Sequence, residues 1–336
     1  MKILVTGATG FTGRHLVRRL VDEGQSVRVI ARSAERAREA FGDRVEIEPG
    51  DVADPAVIRR AVPGATVIYH LAAAYREAGL PDARYRAVHV DSTRLLLEAA
   101  QAEGIERFVH CSTVGVLGHI EHPPADERTP YDPGDIYQAT KAEGEKLALE
   151  FSSRHGLPLT VARPTAIYGP GDLRLLKLFR MIARGRFVMI GSGRIFYHMV
   201  HVDDLVSGLQ LLARRMEAIG EVFIIGGEGY RSLNDIAALI ARVVGAPAPR
   251  WHVPAWPIQM AGSLCEKICA PFGIEPPIYR RRVDFFTKSR AFSIEKARRL
   301  LGYQPAIDLE QGFTQTTRWY REHGYLPAAP VGGARG

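Results

Sequence analysis

The stretch TGATGFTG, residues 6–13, decides the fold that we expect for this chain. It follows the short apolar run Ile3–Val5 and opens a stretch with a helical pattern. At such a junction one glycine allows a tight turn, a second lets backbone N–H groups approach a pyrophosphate, and a third lets the helix pack closely. Gly7, Gly10 and Gly13 have that spacing. The stretch therefore predicts a dinucleotide-binding loop that holds a pyrophosphate at a helix N-terminus.

Short apolar runs alternate with helix-like stretches through the first half of the chain. The apolar runs that we read as strands are Ile3–Val5, Val27–Ala31, Val45–Ile47, Val67–His70, Phe108–Ser112 and Thr160–Arg163. The longest helix-like stretches are Arg84–Glu103 and Asp135–Arg154. Runs that are apolar on both faces indicate a parallel sheet covered by helices. The expected class is α/β, a Rossmann-type doubly wound parallel sheet with a smaller, interleaved C-terminal substrate-binding lobe.

The domain boundaries follow from a change of pattern near residue 165, where glycine and proline begin to punctuate shorter elements. We expect a dinucleotide-binding domain over 1–165 and a substrate-binding lobe over 166–199 and 227–326. Residues 200–226 are expected to return to the first domain, because Glu221–Ile225 has the pattern of a further strand. Residues 327–336 are small and polar enough to form a flexible tail.

Composition excludes several classes of protein. The 336 residues are 46% hydrophobic and 24% charged, and 44 basic against 37 acidic residues give a net charge of +7. This spread-out excess does not indicate a nucleic-acid-binding protein. Three cysteines cannot build a disulfide framework and show no metal-ligand spacing, so we expect no metal and a cytoplasmic location. The apolar stretch 251–274 is interrupted by prolines and charges, so it could at most lie on a membrane surface.

The residue that ends the second strand run bears on the choice of cofactor. An acid there accepts hydrogen bonds from a ribose 2′-hydroxyl, whereas an arginine pairs with a 2′-phosphate. Here the run is followed by Arg32, with Arg28 and Arg36 as competing candidates. NADP(H) is therefore favoured, and NAD(H) stays open. Asp51, past the third strand run, lies where a carboxylate can reach the adenine amino group.

Tyr137 and Lys141 are four residues apart in YQATK, so both side chains lie on one face of the predicted helix. A phenol, with an ordinary pKa of about 10, exchanges a proton poorly at neutral pH, and an adjacent ammonium stabilises the phenolate. The fifth strand run ends at the hydroxyl pair Ser112 and Thr113, at the sheet edge where ligands bind. Thr113 could donate to a substrate oxygen while Tyr137 passes the proton; alternatively, the hydroxyl pair caps a turn.

Motifs along nearly the whole chain resemble the extended short-chain dehydrogenase/reductase family, the NAD-dependent epimerase/dehydratase superfamily. They are TGATGFTG at 6–13, GDVAD at 50–54, HLAA at 70–73, CST at 111–113, YQATK at 137–141, ARPTAIYGPGD at 162–172 and HVDDL at 201–205. The resemblance implies a catalytic triad of Thr113, Tyr137 and Lys141. It also implies cofactor contacts from Gly7, Thr9, Gly10, Phe11, Thr12, Gly13, Arg32, Asp51, Val52, Leu71, Ala72, Ala73, Tyr137, Lys141, Pro164 and Thr165.

The expected substrate pocket is formed by Ala74, Thr113, Tyr168 and Tyr197. Two departures from the sugar-nucleotide branch of the family concern this pocket. Where that branch has an asparagine that binds the substrate diphosphate, this chain has Ala166, and Tyr197 replaces the arginine that clamps the same group. A buried diphosphate without both partners would be poorly paired, at a cost of several kcal/mol, on the order of 2–5. Arg194 could substitute from the neighbouring turn.

The C-terminal third resembles the 3β-hydroxysteroid dehydrogenase, sterol dehydrogenase and dihydroflavonol-reductase-like branch, through PAPRWHVPAW at 247–256 and RAFSIEKARRLLGYQP at 290–305. The resemblance implies an NAD(P)(H)-dependent oxidoreductase that moves a hydride between nicotinamide and a secondary alcohol or ketone of a fairly apolar substrate. It also implies membrane contact through 251–274, or an ordinary packing helix there, and a homodimer formed through the Arg84–Glu103 and Tyr137 helices. The alternatives are an NDP-sugar 4-epimerase or dehydratase with tightly bound NAD(P), and a non-catalytic nucleotide-binding sensor or scaffold.

His198, His201, Asp203 and Asp204 lie close together in HMVHVDD and invite comparison with a metal site. On a strand the two histidines would point to opposite faces, which argues against a shared metal. We expect instead that Asp203 or Asp204 caps the following helix.

Overall fold

The structure, a computed structural model of the chain, describes residues 2–75, 80–258, 260 and 285–328. Its strands are β1 Lys2–Thr6, β2 Ser26–Ala31, β3 Glu46–Pro49, β4 Val67–His70, β5 Arg107–Cys111, β6 Leu159–Pro164, β7 Ala166–Tyr168, β8 Met189–Ile190, β9 Phe196–His201, β10 Val222–Ile225, β11 Tyr230–Ser232 and β12 His252–Val253.

The helices alternate with the strands through the first 160 residues. They are α1 Phe11–Asp22, α2 Ala34–Phe41, α3 Pro55–Ala61, α4 Asp82–Arg86, α5 Ser92–Glu103, α6 Ile136–His155, α7 Leu176–Ala183, α8 Val202–Arg214, α9 Leu233–Val244, α10 Glu295–Leu301 and α11 Leu309–Glu322. A π-helical segment, Ala87–Asp91, joins α4 to α5.

A seven-stranded parallel sheet runs through the centre in the order β10-β6-β5-β4-β1-β2-β3. The chain first builds outward from β1 to β3, and then resumes on the other side of β1 with β4. Ligands of open α/β sheets bind outside the carboxyl ends of the strands at such a switch point. The doubly wound fold class predicted from the sequence is confirmed, and Val222–Ile225 pairs with β6 at the edge of this sheet.

The inner strands of the central sheet are buried on both faces because helices cover both sides, whereas the edge strand β3 is partly exposed. One apolar core includes Ile3, Val5 and Val29, and a second on the opposite face includes Leu4, Ile68 and other residues. Adjacent residues of one strand thus belong to different cores, as the period of two in a strand requires. This explains why the inner strand segments are mostly apolar on both faces rather than alternating.

The helix predicted over Arg84–Glu103 is interrupted by the π-helical segment. That segment packs against α6, where Gly144 lies so close that an added Cβ would come within 2.2 Å of the His89 carbonyl oxygen. A side chain at position 144 would therefore push the two helices apart. Single π-helical turns inside α-helices are often found at functional sites.

A smaller lobe carries a three-stranded sheet in the order β11-β9-β7 and a two-stranded pair of β12 with β8. Helices α7, α9 and α11 pack around a third apolar core, in which Tyr168, Phe179, Phe313 and Tyr320 stack edge to face. Edge-to-face contacts of this kind add to the stabilisation from burial.

The prediction that Asp203 or Asp204 caps α8 is wrong. His201 precedes the helix and its ring accepts a hydrogen bond from the Asp203 amide, so the cap is a histidine. Asp204 instead accepts hydrogen bonds from the amides of Ala306 and Ile307, and thereby ties the C-terminal segment to α8. Aspartate is a common cap, and nothing in the local sequence shows that a distant segment claims it.

No helix among the described residues combines the length and the apolar character needed to cross a membrane. Most of the stretch 251–274, for which either membrane contact or an ordinary packing helix was expected, lies outside the described residues, as do residues 329–336 of the predicted tail.

Candidate active site

A cleft of about 610 Å³ opens at the switch point, between the carboxyl ends of the sheet strands and the smaller lobe. Every residue that the sequence assigned to cofactor binding or to the triad lines this cleft. Of the four predicted pocket residues, Ala74, Thr113 and Tyr197 line it as well. The fourth, Tyr168, does not.

The glycines of the loop after β1 are required by close backbone approaches. Gly7 has a φ of +69°, and a Cβ there would lie 2.7 Å from the backbone of Leu71 and Ala72. A Cβ on Gly13 would lie 2.2 Å from the Gly7 carbonyl oxygen. Any side chain at either position would therefore displace the loop. The loop thus keeps a bare backbone surface toward the cleft, as a pyrophosphate requires.

Helix α1 begins directly behind this loop with its N-terminus open to an anion. Gly10 is the capping residue and offers no side-chain hydrogen bond, and the first turn of the helix contains no acid. Unpaired amides and the helix dipole both favour a negative charge at this place. Together with the glycine cradle, this arrangement fits the pyrophosphate of a nicotinamide dinucleotide.

The arginines near the end of β2 have different environments. Arg32 and Arg36 both line the cleft and are exposed. Arg28 is buried elsewhere: its guanidinium donates to the carbonyls of Ala61 and Pro63 and pairs with Glu46 at 2.8 Å. Arg28 is therefore excluded as a phosphate ligand, and the candidates are Arg32 and Arg36.

Asp51 lies in the adenine half of the cleft and is paired with Arg84. One of its oxygens also accepts a hydrogen bond from the Ala53 amide. Partial burial pushes the pKa of Asp51 upward, but the Arg84 guanidinium and the Ala53 amide outweigh it and hold that pKa below its usual range. The carboxylate stays charged, and its remaining lone pairs can accept from an amino group.

Thr165 follows β6 at the floor of the cleft, next to Pro164. Its hydroxyl is buried and has no hydrogen-bond partner in the structure. Buried polar atoms are usually paired, so an unpaired hydroxyl that faces a cavity indicates a ligand group. A carboxamide, such as that of nicotinamide, offers both a donor and an acceptor for it.

Helix α6 carries Tyr137 and Lys141 into the cleft from its first two turns. Asp135 caps this helix by accepting a hydrogen bond from the Gln138 amide, which fixes where the helix begins. Lys141 is buried, and its ammonium donates to the Cys111 carbonyl at 2.5 Å, at the end of β5. Burial lowers the pKa of Lys141, while the nearby Cys111 and Glu145 partly offset this effect.

The ring of Tyr137 is held between two aromatic neighbours. His89 of the π-helical segment and Tyr75 both meet it edge to face, at centroid distances of 5.4 and 5.2 Å. The His89 ring is itself fixed, because it accepts a hydrogen bond from the Ala74 amide and lies 2.8 Å from the Thr140 hydroxyl. The π-helical segment therefore positions the Tyr137 ring, a role that no sequence pattern pointed to.

Ser112 and Thr113 have different tasks. The Ser112 hydroxyl donates to Glu145, a buried carboxylate that also pairs with Arg163 at 2.6 Å. Thr113 lines the cleft, and its hydroxyl accepts from the Gly115 amide at 3.1 Å. That contact fixes the oxygen and leaves the hydroxyl hydrogen to donate elsewhere. Thr113 thus both caps a turn and can serve a substrate oxygen.

Replacement of Thr113 should separate the two hydroxyls. We expect Thr113→Ala to lower kcat/KM by about 10²-fold, because a donor to the developing oxyanion is lost, and Thr113→Ser to retain most activity. Ser112→Ala should mainly lower the free energy of unfolding, since Glu145 loses a donor. Steady-state kinetics and urea unfolding of the three variants check this. A loss of turnover in Ser112→Ala as large as in Thr113→Ala would contradict the assignment.

The substrate half of the cleft combines apolar and aromatic side chains with the arginines Arg174 and Arg290. Ala166 and Tyr197, the two residues that depart from the sugar-nucleotide branch, both line it, together with Ile167 and Phe292. Arg194 is exposed and does not line the cleft, so the substitute suggested from the sequence does not reach it.

The prediction that Tyr168 lines the pocket is wrong. Its ring is 1% exposed and lies in the core of the smaller lobe, edge to face with His201 and Phe313. Its hydroxyl points at Gly312, where an added Cβ would lie 2.2 Å away. Helix α11 packs over Tyr168 through Phe313 and Gly312, and these contacts enclose its ring in the smaller lobe.

Besides Arg84 at the adenine end, sequence reasoning missed two further arginines of the cleft. Arg174 lines it from the segment before α7, and Arg290 lines it from a segment that runs beside β9. Arg290 and Phe292 are two residues apart and both face the cleft, and this spacing is typical of an extended segment with one side on a pocket. The sequence analysis used this segment only for its resemblance to a branch of the family.

Within the described ranges, no cluster of three or more side chains could hold a metal ion. His198 and His201, adjacent in sequence to the two aspartates, are both buried, and the ring of His198 lies 3.0 Å from the Gly227 carbonyl.

Comparison with known proteins places the chain among nicotinamide-dependent enzymes. Residues 3–226 match the NAD dependent epimerase/dehydratase family. A 3beta-hydroxysteroid-dehydrogenase/decarboxylase isoform 1 of Arabidopsis thaliana is 30% identical over 344 residues, which cover 93% of this chain and 78% of that protein. A 2-alkyl-3-oxoalkanoate reductase of Stenotrophomonas maltophilia (strain K279a) is 30% identical over 325 residues, or 93% of this chain and 97% of that protein.

Among solved structures, the dTDP-glucose 4,6-dehydratase DesIV from Streptomyces venezuelae, with NAD and TYD bound, superposes with a TM-score of 0.76. It is 26% identical, and the match covers 97% of this chain and 99% of that one. The similar proteins thus include both net oxidoreductases and a sugar-nucleotide dehydratase.

Proposed function

Because this chain belongs to the NAD dependent epimerase/dehydratase family of extended short-chain dehydrogenases/reductases, we propose that it is a net oxidoreductase. It would move a hydride between nicotinamide, NADP(H) in preference to NAD(H), and a secondary alcohol or ketone on a fairly apolar substrate. The observation that carries this proposal is the substrate half of the cleft, where Ala166 and Tyr197 replace polar and cationic groups that a diphosphate would need.

The residues of the cleft would divide the reaction between them. When bound, the nicotinamide ring supplies or accepts the hydride. Tyr137 gives a proton to the substrate oxygen in reduction and takes it in oxidation, and Thr113 donates a hydrogen bond to the same oxygen. Lys141, on the same helix face, stabilises negative charge on the phenol oxygen. The loop from Gly7 to Gly13 would hold the pyrophosphate.

The proposal is tested by the fate of the cofactor. The purified protein is incubated with NADPH and a panel of ketones that includes a 3-oxosteroid and a 3-oxoalkanoate, and with UDP-sugars. Net loss of reduced nicotinamide with a ketone supports the proposal. An isomerised or dehydrated sugar nucleotide without net change in the cofactor would instead identify an epimerase or dehydratase. Cofactor binding with neither reaction would favour a sensor.

Cofactor preference is tested at the end of β2. We expect Arg32→Ala to weaken NADPH binding by about tenfold or more and to leave NADH binding unchanged, because a charge-assisted contact to the 2′-phosphate is worth ~1.5–3 kcal/mol. Nicotinamide fluorescence titrations measure both constants. Arg38→Ala, on α2 outside the cleft, is the control. An unchanged NADPH constant in Arg32→Ala would refute the contact.

Two further predictions concern partners. We propose a homodimer formed through the helices that carry Arg84–Glu103 and Tyr137, and peripheral membrane contact through 251–274. Analytical ultracentrifugation tests the first and vesicle co-sedimentation tests the second.

A further inference from the structure

Arg290 is a cation in the substrate half of the cleft. It lines the cavity with Tyr197 and Phe292. No acidic side chain of the described residues pairs with it, and the one acid that lines the cleft in those residues is Asp51 at the adenine end, which Arg84 already holds. An uncompensated charge beside apolar groups is costly unless a ligand pairs with it.

The backbone fixes Arg290 in place. The segment around it pairs with β9, where the Arg290 amide donates to the Phe196 carbonyl at 2.8 Å and the His198 amide donates to the Arg290 carbonyl at 2.9 Å. The position of the residue is therefore set by sheet-like hydrogen bonds rather than by a loose surface loop.

The Arg290 guanidinium packs against the Tyr197 ring, and most of its N–H donors remain available to a ligand. One N–H donates to the Tyr197 hydroxyl at 2.9 Å, and the guanidinium carbon lies 5.6 Å from the centre of that ring. The Tyr197 ring is backed in turn by Phe285 at 5.0 Å. A guanidinium has five N–H donors, and the Tyr197 hydroxyl still has its own hydrogen to give. Both groups can thus donate to one acceptor.

The other arginine of this region, Arg174, is already satisfied. It pairs with the buried Asp172 at 2.7 Å and donates to the Ile167 carbonyl at 2.8 Å. Among the described residues, the substrate half therefore presents one guanidinium without an ion pair rather than two. One such group matches one carboxylate, which it can bind through two parallel hydrogen bonds. A diphosphate would bring more charge than this site can neutralise.

We propose that Arg290 and the Tyr197 hydroxyl bind a carboxylate of the substrate. The substrate is then an apolar oxo or hydroxy carboxylic acid, and this pair fixes which carbon faces Tyr137. The inference rests on the proposed oxidoreductase function and adds the substrate class to it.

The test compares an acid with its own ester. We measure kcat/KM with NADPH for a 3-oxoalkanoate and for the corresponding methyl ester, in the wild type and in Arg290→Gln. Loss of the pair should lower kcat/KM for the acid by about tenfold or more, and change the value for the ester by less than about threefold. Arg290→Lys keeps the charge but cannot donate two parallel hydrogen bonds, so its kcat/KM for the acid should lie between those of the wild type and Arg290→Gln. Arg231→Gln is the control, because Arg231 lies opposite Tyr197 on β11 but is exposed outside the cleft.

A binding measurement separates this inference from the proposed function. Calorimetric titration of the acid and of inorganic pyrophosphate into the Tyr137→Phe protein with NADP⁺ reports affinity without turnover. The inference is supported if the acid binds and Arg290→Gln weakens it by about tenfold or more, even where no net reaction is found. It is overturned if acid and ester respond alike to Arg290→Gln, or if pyrophosphate alone depends on Arg290.

Discussion

Tyr137→Phe should lower kcat by about 10²-fold or more while leaving cofactor affinity within about threefold of wild type. General acid–base catalysis by a positioned side chain contributes about 10²–10⁴-fold, and the phenol is the proposed proton donor. Phenylalanine keeps the ring that meets His89 and Tyr75 edge to face. The pyrophosphate loop lies on another element and is unaffected. Stopped assays of product and fluorescence titration of NADPH measure the two quantities.

Tyr230→Phe is the matched control for this variant. Tyr230 lies on β11, packs against Phe196, and does not line the cleft. It should retain full turnover. If Tyr137→Phe also kept full turnover, the proposed proton transfer would be refuted.

Acidification should unfold the chain steeply, because three histidines are buried in their neutral form beneath the cleft. Burial, with the nearby Lys141 ammonium, lowers the pKa of His70 to about 3 and that of His89 to about 2. The same causes, again led by burial, hold the pKa of His110 well below its ordinary value. The rings of His70 and His110 lie 5.5 Å apart on neighbouring strands, so protonation of one ring opposes protonation of the other.

The direction of the effect follows from which state takes up protons. The unfolded chain protonates these histidines below about pH 6.5. In the folded chain the pKa of His70 is about 3, that of His89 is about 2, and that of His110 lies well below its ordinary value. The stability from neutral burial is therefore present above pH ~6.5 and is lost as the pH falls toward ~3. Each histidine contributes a slope of up to about 1.4 kcal/mol per pH unit, so three contribute about 4, against a total of ~5–15 kcal/mol.

Urea unfolding at several pH values between about 7 and about 4.5 measures this slope. His110→Leu should reduce it by about 1.4 kcal/mol per pH unit. Both ring nitrogens of His110 lack hydrogen-bond partners, so the replacement removes no contact of that kind. His122→Gln, at an exposed histidine, is the control. A free energy of unfolding that stays constant over this range, or an unchanged slope in His110→Leu, would contradict the account.

The central sheet and its nucleotide loop could be predicted because local rules decide them. Glycine spacing at a strand-to-helix junction has few other uses, and strands buried on both faces must be apolar throughout. The pair Tyr137 and Lys141 was predictable for the same reason, since a spacing of four residues on a helix puts both side chains on one face.

The errors concern residues whose environment is made by distant segments. Tyr168 was expected in the pocket, but α11 supplies Phe313 and Gly312 to enclose it. Asp204 was expected to cap α8, but it binds amides about a hundred residues away. Arg28 was a candidate phosphate ligand, but in the structure it binds Glu46 and two backbone carbonyls. In each case the partner is far away in sequence, and no local pattern reveals it.

The support under Tyr137 was unpredictable for a different reason. A π-helical turn has no clear sequence signature, and here it depends on the fit between His89 and Gly144 of the facing helix. The place of Arg290 in the cleft likewise depends on its pairing with β9, which lies about ninety residues earlier in the chain.

Hydride is expected to pass from the cofactor to the substrate carbon beside Tyr137 and to stay in the released product. Isotope transfer tests this most directly. NADPH that carries deuterium at the transferred position is incubated with the ketone that gives turnover, and the product is analysed by mass spectrometry. We expect one deuterium in each alcohol formed and one NADP⁺ for each product. A product without deuterium, formed with no net oxidation of the cofactor, would contradict the account.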